Sequence, residues 1–426
     1  MKRLLFLGTI VALLSSCGGS SNGELIGSQD RQIWNPTDPN GMVFVPQGSF
    51  VMGPSDQDVP FANVTTNKSV SIGAFYMDET EITNNEYRQF VNWVRDSIIR
   101  VALIENADPD EYGIINEETG EYKINWNVKI RHDDEEVRFA LESADLYYTD
   151  YNTGRKKLDT RKLIYSYKTL DLAKASKKSS RDDNNPDSYI DEIELNIFPD
   201  TLTWMHDYAY SFNKPYSENY FWHVAYDDYP VVGVNWHQAV AFTIWRTKEM
   251  NEFLRAHNEP TLPDFRLPTE TEWEYAARGG LDESPYPWGG PYTRNLKGCF
   301  LANFKPLRGD YTADGGIKAI KVMSYNPNGY GLYDMAGNVA EWTSNIYDES
   351  SSSFSHDMNG DNVHSSDPKN EDQVMMRKVI RGGSWKDISY FIQNSTRSYE
   401  YQDTSKCYVG FRCVVDFLGR DIKDFQ

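Results

Sequence analysis

The stretch from Gly329 to Trp342 constrains this chain most. It reads Gly-Tyr-Gly-Leu-Tyr-Asp-Met-Ala-Gly-Asn-Val-Ala-Glu-Trp and follows neither a helical nor a strand period. Gly329, Gly331 and Gly337 allow backbone angles that other residues resist, Asp334 and Glu341 bring carboxylate oxygens, and Trp342 brings a large apolar body. Two readings follow. One is a packed loop closed around a hard cation such as calcium, which takes carboxylates together with backbone carbonyls; the other is a surface turn with incidental acids.

The N-terminus supplies an address. Lys2 and Arg3 precede an apolar run from Leu4 to Leu14, followed by Leu14-Ser15-Ser16-Cys17 and a small, polar stretch from Gly18 to Gly23. A run of about eleven residues is too short for a bilayer of ~30 Å but suits the core of a signal peptide. It resembles a bacterial lipoprotein signal, with residues 1–16 removed and Cys17 lipidated, and residues 17–40 a tether. Acyl chains on Cys17 hold a protein at a membrane surface without a spanning helix. With 63 acidic against 43 basic side chains and a formal charge of -20, the composition argues against a nucleic-acid partner, and any basic patch is local.

Cys299, Cys407 and Cys413 remain after Cys17. Their odd number leaves open one disulfide plus one free or intermolecular thiol, or three buried thiols. Cys and His show no zinc-ligand spacing.

Along the chain, Met42 to Gly53 reads as a β-hairpin and Val70 to Met77 as a further strand. Thr83 with Glu86 forms a capping box ahead of Tyr87, Phe90, Val91 and Val94 at helical spacing. From about 98 to 198 charge density rises, and no glycine occurs between Gly154 and Gly233. This segment reads as an insertion, with a helix from about Asp133 to Leu146. Its basic clusters, Arg155-Lys156-Lys157 and Lys174 to Arg181, are either a docking surface or a solvated loop. Tyr229 to Trp236 reads as a buried strand, His237 to Asn251 as an amphipathic helix, and Thr269 to Gly279 as a capped helix closed by glycine. A polar loop begins at Ser350 and extends to about Asp372. Val379 to Trp385 and Tyr408 to Val415 read as closing strands.

Gly48-Ser49-Phe50-Val51-Met52-Gly53, Phe265 to Gly280, Asn328 to Trp342, Arg381 to Trp385 and Gly410-Phe411-Arg412 together resemble the sulfatase-modifying-factor family, that of the formylglycine-generating enzymes. The resemblance implies a single α+β domain over residues 41–417, related to C-type lectins, with little regular secondary structure, interrupted at about 98–198 and followed by a tail over 418–426. It also implies two structural calcium sites. The first comprises Asn303, the Phe304 carbonyl, Asp314 and the Gly316 carbonyl; the second comprises Asp334, the Gly337 and Val339 carbonyls and Glu341. Enzymes of the family use two copper-binding cysteines, and those positions fall here on Asp387 and Ile392. Neither side chain supplies the soft thiolate that copper(I) requires. The resemblance therefore implies a scaffold retained without catalysis.

Within the family, Phe75 to Asn84, Phe198-Pro199-Asp200-Thr201, Asp228 to Val234, Gly298 to Pro306 and Arg381 to Asp387 resemble the PorK/GldK-type lipoproteins of the type IX secretion and gliding machinery. That likeness implies a lipid-anchored subunit on the periplasmic face of the outer membrane, forming a homo-oligomeric ring with a periplasmic partner protein. The alternatives are an oxidase that generates formylglycine on a sulfatase cysteine and a related gliding lipoprotein with a different partner.

Overall fold

The computed structural model describes residues 36–419, except 55–66, 116–119, 121, 131–133, 152, 179–187, 207–212, 308–309, 311, 313–315, 352–360 and 363–373. The expected signal peptide, Cys17, most of the tether, Asp314, Arg181 and much of the 350–372 loop lie outside the described residues. Among the described residues no helix is long and apolar enough to cross a membrane.

The body is α+β. One sheet joins β1 (Met42–Val45), β4 (Phe75–Asp78) and β15 (Val414–Asp416), all antiparallel and ordered β1-β4-β15. β2 (Gly48–Met52) pairs instead with β3 (Lys68–Ile72). The hairpin expected over Met42 to Gly53 is thus absent. Its link is Pro46-Gln47, whereas a two-residue hairpin turn needs positive φ, the province of glycine and asparagine. The expected strand from Val70 to Met77 is likewise two strands, broken at Gly73 and Ala74.

A second sheet has the order β13 (Ser398–Tyr401), β12 (Arg377–Arg381), β11 (Ala340–Ile346), β14 (Val409–Gly410). β14 runs parallel to β11, and the other pairs are antiparallel. The last segment therefore leaves the second sheet at Gly410 and enters the first at Val414, and Arg412 lies in the crossing.

Capping chemistry sets the helix starts. Thr83 caps α1 (Asn84–Asn106) with the reciprocal Glu86 bond, and this helix runs through Ile98, where an inserted segment was expected to begin. Within 98–198, α2 (Glu135–Ser143) packs its Val137 and Ala140 with Ile99, Leu103, Tyr112 and Leu146 in a small apolar cluster. Two short antiparallel pairs, β5 (Gly113–Ile115) with β6 (Tyr122–Ile124) and β7 (Tyr147–Thr149) with β8 (Lys156–Leu158), precede β9 (Ile164–Leu170) and β10 (Ile190–Asn196), a hairpin whose Tyr165 and Tyr167 reach the main core. The basic side chains there are partly met by local acids: Lys157 lies 2.5 Å from Asp150 and Lys174 2.7 Å from Asp191. Such exposed pairs add little stability.

Asn235 caps α3 (Trp236–Ala256), closing a box with Gln238. Thr269 and Glu272 do the same for α4 (Glu270–Arg278), which stops at left-handed Gly279. The main core lies between α1, α3 and the closing segment. Tyr87 stacks on Phe242 at 5.5 Å between centroids, and Phe411 packs edge-on against both rings. A fully buried side chain of this size contributes on the order of 1.5–3 kcal/mol.

Val231, Val232 and Val234 are buried, as expected for Tyr229 to Trp236, yet the run forms no strand. Its backbone bonds go to separate places, Val231 N–H to the Ile82 carbonyl and Gly233 N–H to the Lys406 carbonyl. Apolar burial identified the run, but no single neighbour offers it a ladder.

Candidate functional site

The loop between α4 and β11 is tied down by its own side chains. Asn328 accepts from the Tyr330 and Leu332 amides and donates to the Ala276 and Ala277 carbonyls at the end of α4. An added Cβ at Gly329 would lie 2.2 Å from the Gly279 carbonyl oxygen, and one at Gly337 would lie 2.3 Å from that of Asn303. Only glycine permits these approaches. Asp334 and Asn338 adopt left-handed φ of 55° and 59°.

Three buried carboxylates gather around this loop. Glu341, placed on β11 opposite Arg381 and beside Gly410, accepts through Oε2 from Trp273 Nε1 and Arg412 Nε and through Oε1 from Arg412 Nη2. Arg412 also donates to the Asp78 and Tyr333 carbonyls. Glu81 accepts from the Val339 amide and from Asn338 Nδ2. Asp334 Oδ2 accepts from the Met323 amide, while its Oδ1 is buried with no hydrogen-bond partner. One guanidinium thus faces three acids. Burial first, then the charges of Asp334 and Glu341, push the Glu81 carboxyl well above the usual range. Asp334 is pushed up to about 6, chiefly by burial and further by Glu341, against the Met323 amide and Arg412.

An uncompensated carboxylate in a dry site either keeps its proton or is neutralised by a cation. The residues fit a hard cation at the second expected calcium site. Asp334 holds an unpartnered oxygen there, and Glu341 with three acceptances retains room for one more. Among the described residues no three His, Cys, Asp or Glu side chains converge as a metal cluster. An ion at this loop therefore requires backbone carbonyls, as expected of Gly337 and Val339. At the first expected site Asn303 is buried, and its Nδ2 donates to the Lys318 carbonyl and to Asn338 Oδ1. Phe304 lies in an apolar cluster, Gly316 approaches the Lys318 carbonyl, and Asp314 is outside the described residues.

Glu81 and Arg412 take no part in the expected sites, yet they complete this cluster. Glu81 carries a faint sequence signal, an acid flanked by Thr80 and Ile82 just before a helix cap.

The positions expected to carry copper thiolates hold different chemistry. Asp387 closes a turn, its Oδ2 accepting from the Ser384 amide and hydroxyl. Ile392 is fully buried against Tyr286, Ala302, Phe304 and Ala336. No disulfide joins Cys299, Cys407 or Cys413; the first is exposed and the other two are buried. Burial, reinforced by Asp78, raises the Cys413 thiol well above its ordinary value, which disfavours the thiolate form.

The sulfatase-modifying factor enzyme 1-like domain family matches residues 31–417. The formylglycine-generating enzyme of Bos taurus is 26% identical over 391 residues, spanning 90% of this chain and 76% of the relative. The inactive C-alpha-formylglycine-generating enzyme 2 of Bos taurus is 34% identical over 193 residues, covering 44% of this chain and 50% of the relative. The formylglycine-generating enzyme of Thermomonospora curvata is 34% identical over 197 residues, covering 45% and 57%. The chain thus spans little more than half the length of these two more identical relatives. Among solved structures, PvdO from Pseudomonas aeruginosa aligns over 88% of this chain and 94% of its own, with a TM-score of 0.43 and 18% identity.

Proposed function

Because the chain belongs to the sulfatase-modifying factor enzyme 1-like family, we propose that it is a non-catalytic member, a structural ring subunit of the type IX protein secretion and gliding machinery. In this reading Cys17 carries the lipid anchor and the protein sits on the periplasmic face of the outer membrane. The C-type-lectin-related scaffold carries an inserted segment at about 98–198 and structural calcium.

One observation carries the non-catalytic half. Of the two positions where the resemblance places copper thiolates, one is a turn-closing carboxylate and the other a core isoleucine. A soft-metal centre has no ligand at either. An inactive relative among the similar proteins is consistent with loss of chemistry on this scaffold. The assembly half rests on the lipoprotein-like N-terminus and on the sequence stretches that resemble those of ring lipoproteins. A ring subunit presents two different surfaces to its neighbours and a third to its partner, and the 98–198 segment is a source of such surface.

Calcium would be held by Asp334, the Gly337 and Val339 carbonyls and Glu341, and by Asn303, Asp314 and the Phe304 and Gly316 carbonyls. Its chemistry there is charge neutralisation. The chain's own part is to hold the loop rigid through Asn328 and to position Glu341 with Arg412 and Trp273.

The non-catalytic half is tested by supplying purified protein with copper and a sulfatase-type cysteine peptide. Mass spectrometry should find the cysteine unconverted. Turnover that disappears on replacing Cys299, Cys407 or Cys413 would overturn the reading and relocate the site.

A further inference from the structure

β9 and β10 form a sheet of two strands only, so each has an outer edge that no third strand of the described residues covers. Their ladder runs past both ends, from the Asp171 amide to the Tyr189 carbonyl and from the Ile197 amide to the Leu163 carbonyl. In an antiparallel pair, residues that exchange bonds alternate with residues whose backbone groups point outward. Odd-numbered residues therefore bond across the hairpin. Ile164, Ser166, Lys168 and Leu170 direct their amides and carbonyls to one outer edge, and Ile190, Glu192, Glu194 and Asn196 direct theirs to the other. Among the described residues, only the Asn196 carbonyl is taken there, by Gln238 Nε2 from α3.

The two edges carry different side chains. Tyr165 and Tyr167 are buried against the core, and β9 shows solvent Ser166 and Lys168 between Ile164, 49% exposed, and Leu170, 53% exposed. β10 shows Glu192 and Glu194. Among the described residues Lys168 and Glu194 have no ion-pair partner, and Glu192 accepts from the Ser166 hydroxyl. An open edge of this length pairs readily with another strand unless charge restricts the choice. Lys168 restricts it: a second β9 brings a like charge alongside, whereas β10 brings two carboxylates.

We propose that β9 of one copy pairs antiparallel with β10 of the next, in the register that the hairpin itself uses. This deepens the ring-subunit reading and rests on it. Across the contact Leu170 faces Ile190, Lys168 faces Glu192 and Ser166 faces Glu194, with about six backbone hydrogen bonds, two for each of these pairs. Successive copies extend one sheet in the order β10-β9-β10-β9, all related in the same sense. The contact is therefore heterologous, each copy offering one edge and receiving the other, as a closed ring requires. A β9-to-β9 contact would be self-complementary and stop at a dimer.

The test uses the full-length protein in native membranes, with Cys299→Ser throughout to remove the exposed thiol. Two differently tagged versions are co-expressed as the sole copies, one with Leu170→Cys and the other with Ile190→Cys, so a disulfide between them joins two copies. Residues paired in this way sit about 5.5 Å apart at Cα, within the range a disulfide spans. Mild oxidation should yield the heterotypic dimer, and neither version alone should yield one. The Ser166 amide points outward, so Ser166→Pro in the Leu170→Cys chain breaks no bond of the hairpin ladder. It should leave the melting temperature unchanged and cut the heterotypic yield about tenfold, through a lost backbone bond and a ring that holds the strands apart. Ser166→Ala should cross-link like the parent. A Leu170→Cys homodimer, a cross-link to a different protein, or an unaltered yield in Ser166→Pro would overturn the proposal. No cross-link from complexes that remain large by sizing overturns this contact and leaves the ring reading standing, whereas no cross-link from a monomer overturns both.

Discussion

Replacing Arg412 with Met is expected to destabilise the fold by about 3–5 kcal/mol, the cost of leaving a buried charge without its partner. Arg412 stands where the closing segment passes from one sheet to the other, and it satisfies Glu341 while also donating to the Asp78 and Tyr333 carbonyls. Its removal strands Glu341 beside Glu81 and Asp334 and loosens both sheets at their junction.

The penalty should depend on pH in a definite direction. Glu81 and Asp334 have folded values raised above the unfolded ones, Asp334 to about 6. A raised carboxyl contributes stability below its unfolded value, near 4, and loses it as pH rises through the folded value. Arg412 lowers both groups, so its loss widens that window upward. Urea melts of parent and variant should therefore differ least near pH 5 and most at pH 7.5. A difference below about 1 kcal/mol, ordinary for a surface substitution, or one that ignores pH, would show that the cluster is not buried and coupled as described.

Chelation is expected to have the next largest effect. A ligand that binds only the native state at a hundred times its dissociation constant adds about 2.7 kcal/mol, so removing calcium should lower the melting temperature at pH 7.5. At pH 5 the response should be smaller, because Asp334 at about 6 is then mostly protonated and a poorer ligand. Asp334→Asn keeps an acceptor for the Met323 amide but removes the charge. In chelator it should be at least as stable as the parent, and on adding calcium it should gain less. A purified parent that contains no calcium and ignores chelator would remove the ion from the account.

The parts of this architecture that depend on local chemistry are legible in the sequence. Thr83 with Glu86, Thr269 with Glu272, and Gly279 mark helix ends because a capping side chain and its target lie within one turn. The Asn235 and Gln238 cap is the same device and could have been read from the same spacing. Pairing partners are different. Whether β1 turns back on β2 or crosses to β4 depends on contacts thirty or more residues away, and an apolar pattern fits both.

The candidate site divides along the same line. Gly329, Asp334, Gly337 and Glu341 stand out because turn chemistry and acids share one short stretch. Arg412 lies 71 residues beyond Glu341 and Glu81 lies 257 residues before Asn338, so the faint local signal at Glu81 and the Gly410-Phe411-Arg412 motif do not reveal that the two meet at this loop. Only the crossing between sheets brings them together. Asp387 and Ile392 were notable in the sequence for what they are not, and the fold gives each a structural task.

The measurement that tests the central claim most directly is gentle affinity purification of the tagged full-length protein from solubilised membranes, with mass spectrometry of what accompanies it and sizing of the assembly. A structural ring subunit should emerge as a large complex containing many copies of itself and one dominant periplasmic partner, and that complex should survive copper removal. A monomer accompanied by sulfatases, or by no partner in stoichiometric amount, would contradict the account.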